Sequence, residues 1–384
     1  MNSGPILPGS TIGCLGGGQL GRMFALAARK MGYRVHTVDP THDSPTGQIS
    51  DREYNASFDD IPTLLEFAAG VDVVTYEFEN IPVTALDALA SKVILRPGRD
   101  VLYTTQNRRR EKEFLLSNGF PVAPFRVVNN EAQLRRAVVA LDFPCVLKTA
   151  DFGYDGKGQQ KITADTDLAA VWQRHGERTG VVESWIPFAA ELSVVVARGH
   201  GKLSGENQMQ AFSPTVNEHE NHILATSVAP APLAASIAAR AQSIASEITA
   251  RLDVVGLLAV EFFLTRTGDL LVNELAPRPH NSGHYSFDAC VTSQFEQQLR
   301  AVCGLPLGDT RLLSPVLMRN LLGDVWANGT PDWPRLLALP GLRLHLYGKS
   351  EPRPGRKMGH YCVLSPTVEQ AWEIDAEAQK ILRR

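Results

Sequence analysis

The sequence has no apolar run near the ~18 residues that a membrane-spanning helix needs. Its first residues, MNSGPILPGS, lack the charged and apolar regions of a secretory signal. Basic charge is not in excess. The 38 Lys and Arg stand against 41 Asp and Glu, a formal charge of −3, which argues against a nucleic-acid coat protein but leaves room for a local basic pocket. Cysteine is scarce: Cys14, Cys145, Cys290, Cys303 and Cys362 are odd in number and contain no C-x-x-C pair, so neither a disulfide framework nor a zinc ribbon is indicated. The 31 Gly and 24 Pro are too few for a collagen-like or low-complexity chain, and no solenoid-length repeat is visible. What is left is a globular, cytoplasmic protein, 44% hydrophobic, whose 384 residues suit two to three domains.

Strands alternate with helices at the start. Thr11 to Leu15 reads as a strand, Gly16 to Gly21 as a glycine turn and Arg22 to Met31 as a helix. Further strands at Tyr33 to Val38, Val71 to Tyr76 and Val93 to Pro97 predict a parallel sheet with helical crossovers over residues 1–105. Beyond Lys112, strands end on charged residues. Cys145 to Thr149 carries Lys148 and runs into a glycine-rich loop, and Ala231 to Leu252 has helical periodicity. Leu257 to Leu264 and Leu270 to Glu274 read as a hairpin around Thr267-Gly268. Short strands after residue 312, at Leu342 to Tyr347 and His360 to Leu364, predict a small β-rich unit.

Three features carry chemistry. Gly16-x-Gly18-x-x-Gly21, with Asp39 following, has nearly the spacing of a dinucleotide fingerprint, in which a helix N-terminus offers N–H groups to phosphate. Gln19 in that turn suggests an amide facing a ligand. Lys148 followed by Gly153, Gly156 and Gly158 reads as a lid over a nucleoside triphosphate: one fixed cation, then backbone free to close on phosphates. It is not a P-loop, because the lysine precedes the glycines and no G-K-[ST] follows. If Thr267-Gly268 are the two loop residues, Glu261 faces Glu274 across the hairpin, and paired carboxylates should either raise one pKa or hold a hard cation such as Mg²⁺ or Mn²⁺. Arg278, His280, Asn281 and Ser282 gather anion-binding donors beside that pair. Arg356-Lys357 forms a basic turn.

The segments GGGQLGRM (16–23), YEFEN (76–80), VLKTADFGYDGKGQ (146–159), ESWI (183–186), VEFF (260–263) and NELAPRPHNSGH (273–284) together resemble the ATP-grasp superfamily, and within it the N5-carboxyaminoimidazole ribonucleotide synthetases. The resemblance runs from about residue 11 to 365. It implies an α/β ATP-grasp fold with a Rossmann-like N-terminal domain (1–105), an ATP-grasp domain (106–311, lid around 149–190) and a β-rich C-terminal domain (312–384). It implies an ATP- and bicarbonate-dependent ligase of purine biosynthesis, acting through carboxyphosphate on aminoimidazole ribonucleotide, dimeric and Mg²⁺-dependent.

Carried over residue by residue, the ATP contacts would be Arg108, Lys148, the loop Gly153, Tyr154, Asp155, Gly156, Lys157, Gly158 and Gln159, the adenine-side Glu183, Ser184, Trp185 and Ile186, then Glu191, His219, Asn273 and Glu274. Glu261 and Glu274 would bind the metal. The ribonucleotide would meet Gln19, Leu20, Glu77, Tyr154, Arg356 and Lys357. Arg278, His280, Asn281 and Ser282 would lie between the ligands, near the reacting groups, with Asp155 near the amine and Lys157 on the phosphates. A formate-dependent glycinamide ribonucleotide transformylase or a biotin-carboxylase-like enzyme is the neighbouring alternative. A dinucleotide-dependent dehydrogenase is the alternative from the glycine turn and Asp39 alone.

Overall fold

The structure, a computed structural model, describes residues 4–151, 158–200 and 208–383. The first sheet is parallel and contains β1 (Thr11–Leu15), β2 (Arg34–Asp39), β3 (Arg52–Asn55), β4 (Val73–Tyr76) and β5 (Ile94–Leu95), in the order β3-β2-β1-β4-β5. Its inner strands are apolar because both faces are covered. On one face Leu20, Met23 and Phe24 of the helix Gln19–Lys30 pack on Ile12, Val35 and Val73. On the other, Leu64, Phe67 and Leu86 pack on Leu15, Val38 and Val74. The strand order reverses direction between β1 and β4, so a crevice opens at their C-terminal ends. The helix begins at Gln19 rather than Arg22, which puts the end of the glycine turn inside its first turn.

The second sheet is antiparallel: β6 (Phe125–Val128), β7 (Cys145–Thr149), β8 (Gln159–Ile162) and β9 (Gly180–Ser184), in the order β6-β9-β7-β8. Leu134, Val138, Val171 and Trp172 from its two helices join Val128, Leu147, Ile162 and Val182 in one core. The unit bearing the glycine loop therefore starts at Phe125, before the expected 149.

The third sheet holds β10 (Phe188–Arg198), β11 (Met209–Ala211), β12 (Thr215–Glu220), β13 (Ile223–Ala229), β14 (Gly256–Thr265), β15 (Leu270–Ala276), β16 (Val316–Leu322), β17 (Leu342–Leu346) and β18 (Lys357–Leu364). The order is β15-β14-β10-β12-β13-β16-β18-β17, with β11 on β10. The helix Ala235–Arg251 lays Ala241, Ala245 and Ile248 on Val194, Leu258 and Val260. The strands after residue 312 do not form a sheet of their own. They continue this one through the β13–β16 pairing.

Glu261 does face Glu274, but by a different route from the one the sequence suggested. The hairpin loop is Arg266-Thr267-Gly268, closed by Thr265 N–H donating to Asp269 C=O at 2.9 Å, with Gly268 in the left-handed region at φ +86°. That loop pairs Phe262 with Val272, one residue out of the expected register. An unpaired residue, Asn273, then bulges and restores the pairing at Glu261–Glu274.

Candidate active site

A cavity of about 1130 Å³ lies between the three sheets. At one end is the β1–β4 crevice. Gly17 N–H donates to Asp39 Oδ2 at 2.6 Å, and the Glu77 carboxylate accepts from Gly18 N–H (2.8 Å) and Gly21 N–H (3.1 Å). A Cβ on Gly18 would stand 2.7 Å from Glu77 Oε1, so the glycine there makes room for this carboxylate. The donors that a dinucleotide fingerprint gives to phosphate are thus held by two acids, and the dehydrogenase reading fails on that geometry. Burial drives the Glu77 pKa up, and the two backbone donors offset it only in part. Gln19 and Leu20 line the cavity beside it.

Farther along the cavity, the helix Arg108–Ser117 presents residues one turn apart to the ends of β7, β9 and β15. Glu183 on β9 is 2% exposed and sits in a cage of three cations: Lys148 Nζ at 3.2 Å, Lys112 Nζ at 3.3 Å and Arg108 at 4.0 Å. Burial works against its charge, but the cations overcome it and hold the carboxyl down at about 2. Burial lowers Lys148 to about 8, against the pull of Glu183. Glu183 was expected beside adenine; it lines the cavity but is engaged chiefly in ordering these cations. Arg108 also reaches Glu274 at 3.2 Å, and its backbone N–H donates to Ala150 C=O, pinning the start of the glycine loop.

Glu261 is not left facing a bare like charge. His280 Nε2 lies 3.2 Å from its Oε1, and this contact with nearby positive charge outweighs burial and keeps the carboxyl ionised well below its usual range. Of the two outcomes expected for the pair, a raised pKa is not seen at Glu261, because His280 stands beside it. Asn273 Oδ1 is buried without a hydrogen-bond partner, as are both amide atoms of Asn281, the pattern of a site shaped for a ligand.

Between the two ends, Arg278 is held by Glu79, with Nε at 3.0 Å and Nη2 at 2.8 Å from Oε2. His280 is fixed through Nδ1 to the Ser282 hydroxyl at 2.8 Å. Ser282 itself is 1% exposed and does not line the cavity; it acts through His280.

At the far end Val146, Trp185, Ile186 and Leu224 form an apolar slot beside Ser184, with Phe188 and Phe263 stacked at 4.9 Å and Lys161 4.2 Å above the Trp185 ring. Glu191 Oε2 meets His219 Nδ1 at 2.8 Å, and that contact raises the His219 pKa against the effect of burial.

Lys357 and Gln159 line the cavity, whereas Arg356 does not; its guanidinium donates to Glu351 C=O. Gly153, Tyr154, Asp155, Gly156 and Lys157 lie outside the described residues, and Gly158 is the described residue that resumes the loop. Sequence reasoning missed Glu79, Lys112 and Lys349, whose Nζ donates to Gln19 Oε1 at 2.8 Å. Glu79 was legible, two residues beyond Glu77 on the same strand exit. Lys349 carried no local signal.

Three family models cover the chain: a ribonucleotide synthetase preATP-grasp domain over residues 10–106, an ATP-grasp domain over 113–295, and a phosphoribosylaminoimidazole carboxylase C-terminal domain over 316–373. The N5-carboxyaminoimidazole ribonucleotide synthase of Bacillus subtilis (strain 168) is 48% identical over 97% of both chains. The chain belongs to the N5-carboxyaminoimidazole ribonucleotide synthase family. A crystal structure of an N5-carboxyaminoimidazole ribonucleotide synthetase with ADP superposes with TM-score 0.92 at 44% identity, covering 98% of each chain. The Aspergillus clavatus synthase in complex with ADP and 5-aminoimidazole ribonucleotide superposes with TM-score 0.88 at 31% identity, over 98% of this chain and 99% of that one.

Proposed function

We propose that the chain carboxylates the exocyclic amine of 5-aminoimidazole ribonucleotide with ATP and bicarbonate, releasing ADP and phosphate in de novo purine biosynthesis. The observation that carries this reading is the placement of Arg278, His280 and Asn281 between a cation cage suited to polyphosphate and the half-buried Glu77 carboxylate at the acceptor end.

Bicarbonate oxygen attacks the γ-phosphorus, the bond to the β–γ bridging oxygen breaks, and ADP leaves. The amine nitrogen then attacks the carboxyl carbon of carboxyphosphate, the carbon–oxygen bond to phosphate breaks, and phosphate departs with the amine proton. Lys148 and Arg108, ordered by Glu183, neutralise the charge moving onto ADP. Arg278 is directed by Glu79 at the bicarbonate, and the free Asn281 amide offers it a donor. Glu77 accepts from the acceptor's nitrogen groups, and Lys357 with Lys349 faces its phosphate.

Glu261, Glu274 and the unpartnered Asn273 Oδ1 are hard oxygen ligands suited to Mg²⁺ or Mn²⁺. Among the described residues no three His, Cys, Asp or Glu form a metal cluster. When bound, the ion would neutralise phosphate charge in the transition state.

The deciding assay is ADP release with ATP and Mg²⁺, with and without aminoimidazole ribonucleotide and bicarbonate. No stimulation by the ribonucleotide defeats the proposal, and stimulation by formate with glycinamide ribonucleotide replaces it with the transformylase. Glu274→Gln is expected to abolish turnover in a folded protein, and near-normal activity would remove the metal assignment. A cytoplasmic homodimer completes the reading, its oligomeric state measurable by sedimentation. No helix among the described residues is long and apolar enough to cross a membrane.

A further inference from the structure

Lys112 is 0% exposed, an unusual position for an ammonium. Its ammonium donates to the carbonyls of Asn273 at 3.1 Å and Val272 at 3.4 Å and forms an ion pair with Glu183 Oε2 at 3.3 Å. The two carbonyls belong to the bulge that corrects the hairpin register. A bulge turns neighbouring carbonyls toward the same edge, where strand pairing cannot satisfy them. β15 is the edge strand of its sheet, and the helix bearing Lys112 covers that edge. The preceding residue, Glu111, accepts Leu275 N–H at 2.9 Å on the other side of Glu274.

We propose that Lys112 is a positioning residue for the reaction: its ammonium holds the Asn273 bulge, so that Glu274 stands opposite Glu261, and at the same time orients Glu183 and through it Lys148. One buried cation would then set both the carboxylate pair and the phosphate lysine. Glutamine keeps two N–H donors at this place, and methionine keeps the shape without any. The inference rests on the metal and phosphate assignments made above, and its test separates the two.

The experiment is titration calorimetry of ADP into the full chain, with and without Mg²⁺, for the wild type, Lys112→Gln and Lys112→Met. Circular dichroism and thermal melting report folding, and the half-saturating concentration of aminoimidazole ribonucleotide is measured in parallel. The expected result is a folded Gln variant in which the Mg²⁺-dependent gain in ADP affinity falls at least tenfold, a larger fall in Met, and a ribonucleotide value within twofold of wild type. Unchanged Mg²⁺ dependence in either folded variant overturns the proposal. So does a Gln variant that fails to fold, since the ammonium would then serve the fold and not the site. If wild-type ADP binding gains nothing from Mg²⁺, the metal assignment itself fails, which is a distinct outcome.

Discussion

Glu77, half-buried, and Glu183, buried, are carboxylates on the wall of one cavity, and the protein treats them in opposite ways. Glu77 rests on two backbone N–H groups, whose partial charges at a helix start do not repay burial, and its pKa rises. Glu183 has Lys112, Lys148 and Arg108 around it, and its pKa falls to about 2. A carboxylate held by dipoles keeps accepting capacity for a neutral donor on a substrate. A carboxylate held by full charges is a counter-ion: it keeps three mutually repelling cations together, where the proposed function puts a polyphosphate. In the proposed function the same side chain would read an amine at one end and organise a phosphate site at the other, and only its neighbours differ.

The strongest way to break this contrast is Glu183→Gln. Removing one partner of a buried ion cluster leaves uncompensated charge, with a cost of about 3–5 kcal/mol in denaturant unfolding; a loss below about 1 kcal/mol would mean the cations do not depend on Glu183. The wild-type contribution follows pH in a definite sense. The folded carboxyl titrates below its unfolded value, so its stabilisation is complete above about pH 4.5 and is lost as pH falls toward about 2. The Gln variant should lack that part of the acid dependence.

Glu77→Gln comes next. The half-saturating concentration of aminoimidazole ribonucleotide should rise about tenfold or more, which is ~1.4 kcal/mol, while ADP affinity by calorimetry stays at wild type. Equal losses for both ligands would erase the distinction between the ends. Gly18→Ala should give the same signature more weakly, because its Cβ would press on the Glu77 carboxylate without removing it. The smallest effect is on pH. With Lys148 at about 8, nucleotide affinity should decline as pH rises past that value, since the cation is lost earlier than from an ordinary lysine; a flat response to pH 9.5 would remove Lys148 from the phosphate site.

Much of this was readable in the chain. The strand, turn and helix at residues 11–30 could be placed because periodicity and glycine spacing are local. The Glu261–Glu274 pairing was reached by assuming a two-residue loop and an unbroken ladder, and the longer loop and the bulge cancel each other. Neither is visible locally, since a bulge is fixed by the edge it must satisfy. The glycine turn was taken for a phosphate cradle because sequence shows which backbone can approach a ligand, not which side chain arrives there first. Glu77 comes from 56 residues beyond Gly21.

The sequence by itself determined the strand and helix pattern, the glycine and lysine spacings and the family, because these depend on neighbours along the chain. The tertiary structure decided the opposite shifts of Glu77 and Glu183, the partners of the cations around Glu183 and the joining of the C-terminal strands to the ATP-grasp sheet. Those depend on burial and on distances of a few ångströms between residues far apart in sequence, and electrostatic energy in a low-dielectric interior changes steeply over such distances.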